Sequence, residues 1–334
     1  MVISRTPFRI SFFGGGTDYP IWYNENAGAV LATTINKYCY ISCRYLPPFF
    51  KHKSRIIWSK MEYVKNISQI QHPSVRACLK FMKIDKGVEI HHDGDLPART
   101  GMGSSSAFTV GLLHALSAIK GLMPTKRQLA LDAIHLEQDI MKENVGSQDQ
   151  AEAAFGGFNL IEFGGKDHIQ VRPVTINLQK LKILQDYSML FFTGFSRTAS
   201  EIASEQIRKT PYKKKELRLM HEMVNQAVEI LNSKYDISEF GKLLNENWQV
   251  KRSLSSKIST TNIDDIYSTA IRMGALGGKL LGAGGGGFML IFAAPKVQSR
   301  IREKLKKLLF VPFRFEGLGS QIIFYSAEDA LINS

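Results

Sequence analysis

The first 60 residues carry strand patterning. Phe8-Arg9-Ile10-Ser11-Phe12-Phe13 predicts a strand that breaks at Gly14-Gly15-Gly16. The runs 29–34 and 38–45, rich in β-branched and aromatic residues, predict two more. A further strand is expected over 88–92, ended by Asp93-Gly94-Asp95. Its histidines, His91 and His92, face opposite sides of a strand. With no further ligand nearby, they read as structural.

Helical spacing then takes over. Residues 104–120 predict a helix that ends before Gly121 and Pro124. Thr125-Lys126-Arg127-Gln128 has the capping-box pattern and opens a second helix reaching about residue 142. Ser147-Gln148-Asp149-Gln150 has the same pattern and opens a short third helix closed by Gly156-Gly157. Segments 158–163 and 168–174 read as a hairpin around Gly164-Gly165. A boundary is expected near 175–187, then a strand over 189–193 and long helical stretches from 199 to about 256. Late strands over 289–292 and 322–325 flank a basic helix, 296–307, with Ile301, Leu305 and Leu308 on its inner face and Val297 upstream. Intermixed strands and helices with hairpins give an α+β class, and 334 residues suit two domains, expected at 1–178 and 179–334.

Composition narrows the function classes. Apolar residues make up 44% and charged residues 22%, which excludes a disordered, collagen-like or coiled-coil chain. No apolar run reaches the roughly 18 to 20 residues that span a bilayer, and the N-terminus lacks the layout of a signal peptide. Three cysteines without Cys-x-x-Cys argue against a disulfide framework or structural zinc. Cys39 and Cys43 read as reduced strand residues, so a cytoplasmic location is expected. The net charge of +13, from 43 Lys+Arg against 30 Asp+Glu, suits phosphorylated small molecules, nucleic acid or an anionic membrane. No nucleic-acid-binding motif accompanies it. The basic residues at 208–215 have only Tyr212 among them, where single-strand binding would interleave aromatics. Neither nucleic acid nor membrane is expected as a partner.

Chemistry concentrates in glycine-rich segments. Leu96-Pro97-Ala98-Arg99-Thr100-Gly101-Met102-Gly103-Ser104-Ser105-Ser106-Ala107 places two glycines and three hydroxyls at the start of a long helix. Unpaired N–H groups and the dipole at such a terminus favour an anion. The segment reads either as a phosphate cradle or as a serine-capped helix after a turn. It is not a Walker A loop, because no Gly-x-x-x-x-Gly-Lys-[Ser/Thr] occurs. Gly282-Ala283-Gly284-Gly285-Gly286-Gly287 fits G-x-G-x-x-G but leads into a strand, so a dinucleotide site is rejected. Such a run suits a main chain that must come close to a ligand or to another backbone.

In order and spacing, three segments resemble the motifs of the GHMP kinases: 9–19, 101–107 and 278–287. Phe13-Gly14-Gly15-Gly16-Thr17-Asp18-Tyr19-Pro20, Trp248-x-x-Lys251 ahead of Ser253-Leu254-Ser255-Ser256-Lys257, and 274–281 are most similar to the heptose 7-phosphate kinases of that family. The resemblance implies an N-terminal domain like the second domain of ribosomal protein S5, a ferredoxin-like C-terminal domain, and ATP and substrate in the cleft between them. It implies ATP binding by Pro97, Arg99, Gly101, Met102, Gly103, Ser104, Ser105 and Ser106. Asp149 matches the aspartate that contacts the reacting hydroxyl, and Arg9 the arginine beside it and the transferring phosphoryl. Glu137 matches the carboxylate that ligates Mg²⁺, with Ser105 as the hydroxyl sharing the metal and Ser104 and Ser106 one residue away. Asp18 aligns with the aspartate that binds sugar hydroxyls in galactokinase. Gly15 and Gly16 stand where galactokinase has Glu-His, which opens the pocket and disfavours galactose. Gly285 is expected at the substrate.

The expected activity is phosphorylation, by ATP with Mg²⁺, of the anomeric hydroxyl of a heptose 7-phosphate, serving nucleotide-activated heptose and surface-glycan synthesis. A second cationic site would hold the substrate phosphate, with Arg197 and Lys251-Arg252 as candidates. The alternatives are a kinase of a fucose-like or mannose-like sugar, a non-catalytic sugar sensor on the same fold, and a nucleic-acid-binding protein with an S5-like domain. Oligomeric state stays open between monomer and homodimer.

Overall fold

The computed structural model describes residues 1–165, 168–194 and 199–326. Two sheets organise them. The larger is built from β1 (Val2–Phe13), β2 (Gly28–Tyr45), β3 (Ser54–Ile57), β4 (Met61–Val64), β5 (Val88–Gly94), β6 (Phe158–Phe163) and β7 (Ile169–Pro173). The smaller contains β8 (Ser188–Gly194), β9 (Gly277–Leu280), β10 (Gly287–Phe292) and β11 (Leu309–Phe310). The last strands, β12 (Phe315–Glu316) and β13 (Gln321–Tyr325), return to the larger sheet.

The two strands expected over 29–34 and 38–45 are one strand of 18 residues. β2 is long because it changes partner along its length. Gly28–Thr33 pairs with β6, Cys39–Tyr45 pairs with β5, and β1 runs antiparallel along nearly all of it. Ile35, at the changeover, pairs with Phe315 and is fully buried. The β3–β4 hairpin and the helix Pro73–Phe81 are additions to the expected elements, although Val75, Cys78 and Leu79 give that helix an apolar face.

The smaller sheet has the order β11-β8-β10-β9. Counted within that unit this is 4-1-3-2, with helices between its first and second strands and between its third and fourth, as in a ferredoxin-like domain. The basic helix spans Pro295–Lys304, with Ile301 and Leu305 buried as its spacing predicts. The division at 178/179 fails at the end of the chain. β13 pairs with β1 and β12 with β2, so the second segment is interrupted after β11. Pairing of distant strands supplies those bonds, and local pattern does not reveal it.

Phe240, on the helix Ile237–Leu254, packs edge-on against both Phe12 and Phe13, with ring centroids 5.5 and 5.1 Å apart. Burial of such rings contributes roughly 1.5–3 kcal/mol each. It fixes this helix of the second unit over the end of β1, where the first glycine motif begins. No helix among the described residues is long and apolar enough to cross a membrane.

Candidate active site

β1 ends in a turn that requires two of its three glycines. Gly14 has φ +83°, and a β-carbon there would lie 1.9 Å from the Ala29 carbonyl oxygen. Gly16 has φ +116°, and its β-carbon would meet the Gln206 amide at 2.7 Å. The turn is closed by Thr17, whose Oγ1 donates to the carbonyls of Gly14 and Ala29 at 2.8 and 2.9 Å. Next comes Asp18, buried, its Oδ1 accepting the Gly16 N–H at 2.8 Å. Burial, opposed by that bond, raises its pKa, and the nearby Asp149 carboxylate adds to the rise.

Arg9 joins three elements. Its Nε and Nη2 donate to the two carboxylate oxygens of Asp149 at 2.7 and 2.9 Å. Its Nη1 donates to the Gly101 carbonyl at 2.6 Å, and its backbone N–H to the Met102 carbonyl at 3.2 Å. Asp149 lies in the first turn of the helix Gln148–Phe155, where the dipole favours a carboxylate. The expected Ser147 cap is not made. The Ser147 hydroxyl instead meets Tyr23 Oη at 2.9 Å and accepts from Gln138 Nε2 at 3.0 Å. Thr125 does cap its helix, accepting the Gln128 N–H at 3.1 Å.

The loop before the helix Ser104–Ile119 enters the left-handed region at three positions, only one of them a non-glycine. Arg99, Gly101 and Gly103 all have positive φ, and Gly103, at +73°, is the residue before the helix. The Arg99 N–H donates to Ser104 Oγ, and Thr100 Oγ1 donates to the Pro97 carbonyl. A β-carbon on Gly103 would lie 3.2 Å from Arg9 Cγ and 3.4 Å from the Asp149 carboxylate. The unpaired N–H groups of the helix start therefore sit beside the Arg9–Asp149 pair.

The glycine run 282–287 brings backbone against backbone. A β-carbon on Gly282 would be 2.4 Å from Gly101 Cα, and one on Gly287 would be 2.2 Å from the Thr100 carbonyl. In turn, one on Gly101 would be 2.3 Å from the Leu281 carbonyl. The third motif is thus the buttress of the second. Gly285 donates its N–H to the Ile258 carbonyl at 3.0 Å, which leaves it no free donor for a substrate.

Glu137 lies outside a regular α-helix. The second helix is α-helical over Lys126–Ile134 and continues as a π-helical turn, His135–Ile140, a distortion frequent at functional sites. That turn carries Glu137 to full burial, its Oε2 accepting from Ser106 Oγ at 2.8 Å and from Gln150 Nε2 at 2.5 Å. Its Oε1 is buried with no hydrogen bond, the Thr109 hydroxyl donating to the Ser105 carbonyl instead. Burial pushes the carboxyl up to about 7, against the pull of the hydrogen bonds from Ser106 and Gln150. Of the three serines, Ser106 is the one hydrogen-bonded to Glu137, and Ser105 is exposed beside it. A buried carboxylate oxygen without a hydrogen bond, beside a hydroxyl and a helix N-terminus, fits a hard divalent cation.

Two lysines complete the centre. Lys251 is buried with its Nζ donating to the Gly282 carbonyl at 2.7 Å. Burial, with Arg9 adding, pushes it down to about 8, opposed by Asp18 and Asp149. Arg252, its neighbour, turns away to Asp264 at 2.9 Å. Lys279 is fully enclosed and donates to the Phe12 carbonyl at 2.9 Å, and burial holds it well below the usual lysine range. No local signal in the sequence marks the burial of Lys279. Arg197 lies outside the described residues.

Sequence comparison places this geometry in a family. The model of the GHMP kinases N terminal domain matches residues 68–157, and that of the GHMP kinases C terminal domain matches 226–309. Together they cover just over half of the chain. The D-glycero-alpha-D-manno-heptose 7-phosphate kinase of Campylobacter jejuni is 28% identical over 320 residues, 91% of this chain and 93% of that one. The L-fucokinase/L-fucose-1-P guanylyltransferase of Bacteroides fragilis is 29% identical over 71% of this chain and 25% of its own length. Among solved structures, a D-glycero-D-manno-heptose 1-phosphate kinase from Bacteroides thetaiotaomicron superposes with TM-score 0.77 at 24% identity, covering 98% of this chain and all of the other. A Lactococcus lactis galactokinase reaches TM-score 0.73 at 19% identity, covering 96% of this chain and 94% of its own.

Proposed function

The chain belongs to the GHMP kinase family of ATP-dependent phosphotransferases, and we propose that it phosphorylates D-glycero-D-manno-heptose 7-phosphate at the anomeric hydroxyl, giving the 1,7-bisphosphate and ADP. The chemistry rests on one observation, the fork of Arg9 on Asp149 beside the helix start at Gly103. The sugar rests on the likeness to the Campylobacter jejuni kinase along nearly the whole of both chains.

In this reading the cradle of residues 101–106 binds the ATP phosphates through backbone N–H groups. The acceptor hydroxyl oxygen bonds to the γ-phosphorus, the bond from that phosphorus to the β–γ bridging oxygen breaks, and ADP leaves with the electron pair. Asp149 orients the hydroxyl and takes its proton. Arg9 holds Asp149 in place and offsets charge on the transferring group. Glu137 and the Ser105 hydroxyl, with Ser106 bonded to Glu137 behind it, would hold Mg²⁺, which when bound neutralises phosphate charge. The buried thiols of Cys39, Cys43 and Cys78 support a reducing, cytoplasmic setting.

A kinase assay on heptose 7-phosphate, free heptose, mannose, fucose and galactose tests the assignment. Heptose 7-phosphate should give the highest kcat/KM by at least about tenfold, the worth of one charged contact. Preference for free fucose or mannose would replace it with the kinase of that sugar.

A further inference from the structure

The segment between β2 and β3 has no part in the phosphotransfer site. Over 47–53 it reads Pro-Pro-Phe-Phe-Lys-His-Lys. It lies at the Val88 end of β5, six residues or about 20 Å of strand from Gly94, beyond which the chain enters the 96–103 loop. Two prolines fix two of its φ angles. Both ends are pinned, the Leu46 N–H donating to the Gly87 carbonyl and the Lys53 N–H to the Val64 carbonyl, each at 2.9 Å. His52 lies between Phe50 and Tyr63, with ring centroids 5.3 and 4.7 Å away. Tyr63 in turn meets Met61, its Oη donating to Sδ at 2.6 Å. The loop is thus held in shape, yet Phe49 is 89% exposed, and Phe50, Met61 and Tyr63 are exposed beside it. One exposed apolar residue is ordinary, whereas a contiguous apolar group on a fixed loop marks a contact surface.

The same loop borders a cavity of about 470 Å³ lined by four lysines, Lys51, Lys53, Lys65 and Lys86, and by no Asp or Glu. None of the four is in an ion pair within the described residues. The carboxylates of the adjoining strands are engaged elsewhere. Glu62 on β4 accepts from Trp58 Nε1 at 2.8 Å and from the N–H groups of Gln71 and His72. Glu89 on β5 is held by Arg44, Arg55 and His91. Asp85 precedes Lys86 but does not line the cavity. Four like charges around one cavity repel one another until an anion enters.

We infer that this loop docks the protein on an anionic lipid bilayer, with Phe49 in the interface and the four lysines facing phosphate headgroups. An apolar side chain ringed by lysines suits the boundary between acyl chains and headgroups, and an anionic leaflet attracts each lysine near it. A second copy of the chain fits badly, because a two-fold contact on this patch would set the lysines against their own kind. A single nucleic-acid strand needs a row of open ring faces, whereas Phe50 is stacked on His52 and His52 meets Tyr63 edge-on. This revises the expectation that no membrane is a partner, and it needs no transmembrane segment.

Cosedimentation of the full chain with vesicles of phosphatidylcholine and phosphatidylglycerol in equal parts tests it. Wild type should bind these vesicles, leave them as salt rises, and bind pure phosphatidylcholine vesicles poorly. Phe49→Ala should weaken binding roughly tenfold. Lys51→Ala combined with Lys53→Ala should weaken it about thirtyfold. Lys304→Ala combined with Lys307→Ala, exposed at the end of the basic helix, should cost severalfold less. Melting temperature and turnover on soluble substrates should match wild type in all three variants. Equal losses from the two lysine pairs would reduce the binding to net charge and overturn the proposal. So would undiminished vesicle binding by Phe49→Ala, or retention of wild type on single-stranded DNA in place of vesicles. Displacement of wild type from vesicles by millimolar glycerol phosphate would also overturn it, making the cavity a site for a free anion.

Discussion

Arg9 and Asp149, 140 residues apart in the chain, are joined by two hydrogen bonds of 2.7 and 2.9 Å, each carboxylate oxygen taking one arm of the guanidinium. Only 5% of the Arg9 side chain is exposed, against 25% of that of Asp149. The open edge of the carboxylate is therefore the side available to an acceptor.

Replacing Arg9 should damage this arrangement in graded fashion. Arg9→Lys keeps a charge but loses the fork, and Arg9→Met loses both. Stability should fall by roughly 1–3 kcal/mol in Arg9→Met, since the Asp149 and Gly101 oxygens lose their donor. Turnover should fall further in Met than in Lys. Equal turnover in the two variants, by steady-state assay, would show that charge at residue 9 has no part in the reaction.

Glu137 makes the protein sensitive to pH. Its carboxyl is raised from an ordinary 4.5 to about 7 in the folded state. The native state thus holds that proton more tightly than the unfolded chain. This contribution is full below pH 4.5 and is lost as pH climbs through 7, on the order of 3 kcal/mol by pH 8. Glu152, raised to about 8 chiefly by burial, acts in the same direction, so the comparison must be between wild type and variant. In metal-free melts from pH 5 to 8.5, Glu137→Gln should lose less stability than wild type. Its half-saturating Mg²⁺ concentration in the kinase assay should rise severalfold. Parallel pH curves and an unchanged Mg²⁺ titration would leave Glu137 without the assigned role.

Gly103→Val should prevent nucleotide binding. Its φ of +73° is adverse for a β-branched residue, and the side chain would press on Arg9 and Asp149. Strain alone should lower stability by about 1–2 kcal/mol. Mg-ATP should raise the melting temperature of wild type and leave that of the variant unmoved. Equal stabilisation of both would place the nucleotide away from this loop.

The glycine motifs were legible because their conformational demands are local. Gly14, Gly16, Gly101 and Gly103 each need positive φ, and a side chain would advertise its absence there. What those glycines approach was not legible. The contact of Gly282 with Gly101 joins segments 181 residues apart and depends on how two sheets dock. Which serine meets Glu137 was not legible either. Successive helix positions differ by about 100° in direction, and the phase is set by where the helix begins, after Gly103. Ser106 therefore faces Glu137 and Ser105 faces outward. β12 and β13 gave no sign of which strands they would join, because edge pairing is settled by tertiary packing.

The central claim is that Asp149 handles the acceptor proton during phosphoryl transfer, and Asp149→Asn under single turnover tests it most directly. The amide keeps the size and one hydrogen bond to Arg9 but accepts no proton. With Mg-ATP and heptose 7-phosphate, the rate of bisphosphate formation should fall by roughly 10² to 10⁴, while the melting shift on adding Mg-ATP stays within about a degree of wild type. A variant that retained more than about half of the wild-type rate would contradict the account.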